Sequence, residues 1–346
     1  MIHVGVDAWN IPGDRRGIGR YVRAILRSWS AELSTRVRVS LIVPEWATWI
    51  VAPRYRRELD GRHYAIRSRR RHTRFAPDVL WFPFNGPSWE EFSTPAVATL
   101  HDASTFDLPG FGEETRHTFR RAAARCTRIV TDSEFSKSAL ARALNIGPDR
   151  IVAIPLGVEL PRAGEGTDGS EEFGRFALFV GEAEERKGLP ELLAVMQTVH
   201  ERVPEAQLVV AGALTGALAQ QAPWLHVLGH VDDRMLARLY RGCTVFVYPS
   251  RYEGFGLPVL EAMSRGAPVI ASFATAIPEA GGEAALYVPP GDSRALAAAV
   301  ERVFLDAMLR TQLREAGLLR ARSMPWSRTA ARTLEVLEAV ANGQPR

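Results

Sequence analysis

The sequence predicts an α/β protein of two domains, each a doubly wound sheet flanked by helices. Three observations lead there. Short apolar runs rich in β-branched and aromatic residues alternate with helical stretches through both halves of the chain. Those runs are apolar almost without interruption, the mark of parallel strands buried on both faces. The 346 residues suffice for two full cores, and a stretch dense in Gly, Pro, Ser and acidic residues lies between the halves. The expected divisions are a first domain over 1–158, a linker over 159–174, a second domain over 175–322 and a terminal segment over 323–346.

IHVGVDA is the first strand. IPGDRRGIGR is then a loop containing Gly17 and Gly19, and it opens the helix YVRAILRSWS. VRVSLIVP, DVLWFP and PAVATL are short strands, the last running straight into His101 and Asp102. A histidine at the C-terminal end of a buried strand stands at the ligand-facing edge of an open α/β sheet. Asp102 beside it can orient the ring or cap the next segment. A helix over 113–124 leads to the strand RIVTDS and the helix EFSKSALARAL, which side chains from Thr131 to Ser133 can cap. IVAIPLGV closes the first half. The second starts at FALFVG, where Gly181 ends the strand, and continues with a loop and a helix in EAEERKGLPELLAVMQTVHERV. AQLVVAG, WLHVLGHV, VFVYPS, APVIAS and AALYVPP are its later strands, with ARLYRG, VLEAMSR and RALAAAVERVF among the helices between them. Each half is thus Rossmann-like, and the two domains are expected to face each other across a cleft. WSRTAARTLEVLEAV is a final amphipathic helix.

Composition narrows the function. No run of eighteen apolar residues occurs, and the start MIHVGVDAW lacks a charged lead and cleavage site, so a cytoplasmic protein is expected. Cys126 and Cys243 read as small buried hydrophobes of a reducing compartment. Basic character is local: residues 53–75 hold nine Arg against Glu58 and Asp60, a net of +7, whereas the whole chain is +4. That segment reads as a solvated loop, or as a patch (residues 54–74) for anionic lipid or for an anionic lipid-linked acceptor. Nucleic acid is not expected, because the rest of the chain is acidic and no binding motif accompanies the cluster. Lysine occurs only at Lys137 and Lys187, against 41 arginines.

The chemistry concentrates in CTVFVYPSRYEGFGLPVLEAMSRGAPVIAS, residues 243–272. A buried strand leads to a turn with Gly254, Phe255 and Gly256, and Leu257-Pro258 begins a helix, proline being well placed where no N–H is needed. The glycines let backbone approach a ligand, and the helix start offers unpaired N–H groups to an anion. Glu253 and Glu261 flank the turn. Carboxylates suit neutral hydroxyls, so an anion at the helix start with hydroxyl-rich groups beside it describes a nucleotide diphosphate sugar.

This string resembles the E-x7-E signature of the retaining family 4 glycosyltransferases, and the resemblance extends over nearly the whole chain. Gly17-Ile18-Gly19-Arg20-Tyr21 is similar to the family's N-terminal glycine loop beside the cleft, and Thr99-Leu100-His101-Asp102 to its T-x-H-D motif. The resemblance implies the GT-B arrangement, with the last helix crossing back to the first domain. It implies that His101 lies near the transferred sugar, Glu253 and Glu261 hold hydroxyls, and Lys187 with Arg186 binds the diphosphate. Glu182 departs from the pattern, since many members carry a basic residue directly after the glycine. With no Asp-x-Asp and no metal-like His/Cys spacing, catalysis without metal or cofactor is expected.

The expected activity is therefore transfer of a hexose from a nucleotide sugar, GDP-mannose favoured, to a glycan or lipid-linked hydroxyl, in a bacterial surface-polysaccharide pathway. A UDP-sugar hexosyltransferase is the alternative, and a phosphorylase or epimerase of similar architecture is another. From other classes come an NAD-dependent oxidoreductase, whose full glycine fingerprint neither half carries cleanly, and an anionic-surface binding module built on residues 54–74.

Overall fold

The computed structural model describes residues 1–11, 17–47, 59, 64–69, 76–161, 171–213 and 222–343. The chain divides into two compact units, Met1–Gly157 with Trp326–Arg346, and Val158–Pro325. Most of the Arg-rich segment and residues 162–170 of the expected linker lie outside the described residues.

The first unit contains β1 (Ile2–Asp7), α1 (Gly17–Glu32), β2 (Val37–Val43), β3 (Tyr64–Ser68), β4 (Val79–Phe82) and β5 (Ala96–Thr99). It continues with α2 (Ser104–Asp107), α3 (Glu113–Arg125), β6 (Arg128–Thr131), α4 (Glu134–Leu144) and β7 (Ile151–Ala153). Its sheet runs β3-β2-β1-β4-β5-β6-β7, every pairing parallel. Phe82, Ala98, Phe119, Ile129 and Leu140 form part of the core on one side. Gly17 and Gly19 are not loop residues as expected but the first residues of α1. Neither has a positive φ, so the helix needs no left-handed residue there and starts four residues early. The edge strand β3 was not anticipated, since only Ser68 of YAIRS is buried and arginines surround it.

The second unit contains β8 (Phe176–Val180), α5 (Leu189–Arg202), β9 (Gln207–Ala211), β10 (Leu225–Gly229), α6 (Asp233–Gly242), β11 (Val245–Tyr248) and α7 (Leu257–Ser264). It continues with β12 (Val269–Ser272), α8 (Ile277–Gly281), β13 (Leu286–Val288), α9 (Ser293–Leu305) and α10 (Ala307–Arg322). The sheet order is β10-β9-β8-β11-β12-β13, again all parallel. Phe179, Leu192, Met196, Val210, Val247, Ile270, Val300 and Phe304 fill one face. The helix α10 was not anticipated, because its few buried positions, Leu313, Gly317 and Ala321, leave little apolar periodicity to read. Gly317 lets it approach α7: a Cβ there would sit 3.1 Å from Met263 Cγ.

The last helix, α11 (Trp326–Ala341), belongs to the first unit. It packs beside α1 and over β4 and β5, burying Ala330, Leu334 and Leu337. Trp29 donates its indole N–H to the Ala330 carbonyl at 2.9 Å, and Arg36 pairs with Glu338 at 2.5 Å. Burying each large side chain contributes about 1.5–3 kcal/mol, so the terminal helix is part of that unit's core.

Each sheet reverses its strand order once, between β1 and β4 in the first unit and between β8 and β11 in the second. In open α/β sheets ligands bind beyond the carboxyl ends of the strands at such a reversal, because the loops diverge there and leave a crevice.

Candidate functional site

At the reversal of the second sheet, two loops meet. The chain leaves β8, makes a 3₁₀ turn over Glu185–Lys187 and enters α5 through Gly188, whose φ is +69°. A Cβ on Gly188 would lie 2.4 Å from the Pro249 carbonyl oxygen, so only glycine lets this turn rest on the loop after β11. Arg251 N donates to the Arg186 carbonyl at 2.7 Å, and Ser250 Oγ lies 3.1 Å from the same oxygen, so the two loops are stitched together.

That stitching delivers the two cations to one acid. Glu253 Oε1 accepts from Lys187 Nζ at 2.6 Å, from Ser250 Oγ at 2.6 Å and from Arg186 Nη1 at 3.3 Å. Lys187 also donates to the Tyr248 hydroxyl at 3.1 Å, and Arg186 is held by Glu184 at 2.7 Å. Lys187 and Glu253 side chains are only 13% and 12% exposed, so water screens the pair little. Burial disfavours the charged carboxylate, but Lys187, Ser250 and Arg186 outweigh it and hold Glu253 below the ordinary carboxylate range. Lys187 and Arg186 thus have a resident counter-ion rather than standing bare for phosphate.

The turn beyond follows from its glycines. Gly256, with φ +104°, precedes α7, Pro258 sits in its first turn, and Phe255 is buried as a plug. Leu257 and Glu261 are half-buried on α7, and Gly254 is half-buried in the turn. Glu182, the departure from the expected basic residue, lies 4.0 Å from His230.

In the first unit His101 stands beyond the end of β5. Its Nδ1 is 2.8 Å from Asp132 Oδ2, its Nε2 is 3.0 Å from the Pro83 carbonyl, and its backbone N donates to Asn85 at 2.9 Å. The Tyr21 ring meets it edge-on at 5.1 Å. Both ring nitrogens face acceptors, so the ring is satisfied only when both carry protons. Burial works against that charge, but Asp132, Pro83 and Asp102 outweigh it and raise the imidazole above its ordinary value. Burial also pushes the Asp132 carboxyl up, and the imidazolium opposes the push. The two acceptors on His101 favour the ion pair. Asp102 does not hydrogen-bond the ring: its carboxylate accepts from Ser104 N at 2.9 Å and Ser104 Oγ at 2.6 Å, in a turn that leads into α2. Asp132 takes that place, while its neighbour Ser133 caps α4. Arg20 is half-buried in the first turns of α1.

Of the expected site residues, Glu253, Lys187 and Arg186 share one cluster, and Gly254 to Leu257 with Glu261 continue the same segment. His101 stands at the corresponding edge of the other sheet. Arg69, from the basic segment, faces inward: it donates to Ser88 Oγ at 2.5 Å and lies 3.9 Å from the buried Asp7. Among the described residues no helix is long and apolar enough to cross a membrane, and no group of acids, histidines or cysteines could hold a metal ion.

Comparison with known proteins follows the same division. Residues 15–162 match the family described as Glycosyltransferase Family 4, and residues 174–306 match Glycosyl transferases group 1. The chain is 32% identical over 269 residues to the O-antigen chain mannosyltransferase B of Escherichia coli, covering 69% of each. It is 32% identical over 264 residues to a phosphatidyl-myo-inositol mannosyltransferase of Mycobacterium tuberculosis, covering 71% of this chain and 68% of that one. Among solved structures it resembles the Anabaena protein HepE in complex with UDP-glucose, with a TM-score of 0.73, 15% identity, and 98% and 100% of the two chains covered.

Proposed function

The chain belongs to glycosyltransferase family 4 and is a hexosyltransferase of the GT-B class; from that we propose that it moves mannose, with retention, from GDP-mannose to a hydroxyl of a glycan or lipid-linked acceptor, without metal or other cofactor. The observation that carries this reading is the cluster of Lys187, Arg186 and Glu253 at the strand-order reversal of the second sheet. Mannose as the sugar is supported by the two mannosyltransferases to which the chain is about one-third identical.

The geometry suggests an exchange of partners. A nucleotide diphosphate carries the charge that Glu253 now supplies to Lys187 and Arg186. When it binds, the cations turn to the phosphates and Glu253 is released to accept hydrogen bonds from sugar hydroxyls. The N–H groups at the start of α7 add positive potential. As the glycosidic bond breaks, negative charge grows on the departing diphosphate, and these fixed groups stabilise it. Glu261 would hold hydroxyls on the nucleotide side, and His101 would orient the sugar near its reacting carbon. Residues 54–74 would bring the protein to the inner face of an anionic membrane, where a lipid-linked acceptor resides.

The test is a panel of GDP-mannose, UDP-glucose and UDP-N-acetylglucosamine, screened by thermal shift and then by transfer to a polyprenol-linked acceptor in EDTA. The largest stabilisation and transfer are expected with GDP-mannose, with the product anomer read by NMR. Lys187→Ala should lower turnover by roughly 10²–10³. Wild-type transfer by both Glu253→Ala and Glu261→Ala would remove the basis of the assignment. The largest shift with UDP-glucose would keep the enzyme class and overturn the donor.

A further inference from the structure

Thr275, in the loop between β12 and α8, has φ of +47°, a left-handed conformation that a β-branched side chain disfavours. A position with this backbone and no other duty is served best by glycine or asparagine. Thr275 does something neither can do from there. Its hydroxyl accepts from the Glu253 backbone N–H at 3.0 Å and donates to the Glu253 carbonyl at 3.1 Å, closing on both sides of one residue. Glycine has no hydroxyl, and an asparagine amide is longer and cannot fold both functions onto a single atom. The next residues start α8, and that helix packs on the donor-side turn: a Cβ added at Gly256 would lie 3.4 Å from Ala280 Cβ and 3.6 Å from Ile277 Cα. The bend at Thr275 therefore braces the Glu253–Gly256 turn through the hydroxyl and through the helix it launches.

We infer that Thr275 is a positioning residue, held in an unfavourable backbone conformation because its hydroxyl fixes the Glu253 main chain and so aims the carboxylate shared between Lys187 and the sugar of the donor. The Glu253 side chain is restrained at its tip by Lys187, Ser250 and Arg186 in the ligand-free protein. Once a diphosphate claims the two cations, the tip keeps only hydroxyl partners, Ser250 and Tyr248, and the backbone clamp sets the direction from which the carboxylate reaches the sugar. Loss of the clamp should therefore be felt by the sugar and not by the diphosphate. This rests on the reading of Glu253 as a sugar contact.

The experiment uses full-length Thr275→Gly, Thr275→Val and Thr275→Ser proteins with titration calorimetry. The probes are the nucleotide sugar that gives the largest thermal shift and its free nucleoside diphosphate. Thr275→Gly relieves the backbone but leaves the Glu253 N–H and carbonyl without the hydroxyl, so the two effects oppose and its Tm should stay near that of wild type. It should nevertheless bind the nucleotide sugar roughly tenfold more weakly while binding the free nucleoside diphosphate within about twofold of wild type, the loss expected for one misdirected charge-assisted hydrogen bond. Thr275→Val keeps the shape and the strain but lacks the hydroxyl, and should show the same split. Thr275→Ser should restore most of the affinity. If Glu253→Gln lowers the affinity for the nucleotide sugar relative to that for the free nucleoside diphosphate but neither Thr275→Gly nor Thr275→Val does, the clamp is overturned and the Glu253 reading survives. If Glu253→Gln leaves that ratio at its wild-type value, the underlying reading fails. Equal losses for both probes would mark Thr275 as merely structural and overturn the proposal.

Discussion

Replacing Glu253 by glutamine should reveal the charge exchange at the centre of the proposed mechanism. In the ligand-free protein the substitution leaves Lys187, only 13% exposed, without its counter-ion, whereas Arg186 keeps Glu184 at 2.7 Å. Removing one partner of a buried pair costs about 3–5 kcal/mol, and the glutamine carbonyl still accepts one hydrogen bond, so the lower figure applies. For a domain of this size each kcal/mol moves Tm by roughly 2–4 °C, giving a fall of about 6–12 °C. A nucleoside diphosphate then acts differently on the two proteins. Wild type must give up the Lys187–Glu253 bond to receive it, but the variant gives up nothing and gains a missing negative charge. In scanning fluorimetry with GDP, UDP or pyrophosphate, the ligand-induced rise in Tm should be larger for Glu253→Gln than for wild type, so the two curves converge at saturation. An unchanged Tm without ligand, or a ligand shift smaller than wild type, would refute the idea that diphosphate replaces Glu253 at Lys187.

Other outcomes follow from the same geometry. Gly188→Ala forces a Cβ to within 2.4 Å of the Pro249 oxygen at a φ of +69°, so it should destabilise by about 1–3 kcal/mol in urea unfolding and displace Lys187, lowering turnover together with stability. His101 has a folded pKa above its ordinary 6.5, so its ion pair with Asp132 contributes fully below that value and is lost as pH rises through the raised one. The stability of wild type should fall as pH rises above 6.5 through the raised pKa, and Asp132→Asn should abolish the slope in a pH series of melting curves. Glu253 behaves in the opposite sense: its stabilising contribution holds above the ordinary carboxylate value of 4.5 and disappears as pH falls through the lowered folded pKa, visible as steeper acid unfolding in wild type than in Glu253→Gln. Exhaustive EDTA treatment should leave transfer within about twofold, because in the proposed mechanism Lys187 and Arg186 supply the charge that neutralises the leaving group.

How much of this was legible beforehand depended on whether a feature is local. The parallel sheets announced themselves as continuous apolar runs, and the segment from Glu253 to Glu261 as a proline and two glycines between two acids, because those constraints act within a few residues. Features set by non-local neighbours were missed. The edge strand β3 lacks a buried face, and α10 lacks a strong apolar stripe, so neither had a pattern to read. The sequence points to Asp102, the neighbour of His101, as its partner, but adjacent side chains diverge and the ring instead meets Asp132, thirty-one residues away. Yet the sheet register contains the answer. Thr99 pairs with Val130 in the parallel ladder of β5 and β6, so two residues further along each strand His101 stands beside Asp132. The cap expected from Thr131 to Ser133 is made by Ser133 on α4, but Asp132 before it has a separate partner in His101. Likewise Thr275 lies twenty-two residues from Glu253 and meets it across the ends of β11 and β12, the next adjacent pair in the other sheet. In both units, then, the residue that holds a catalytic candidate in place comes from the neighbouring strand end. Adjacency in the sheet, not in the chain, decides which side chains can share a proton or brace a carboxylate.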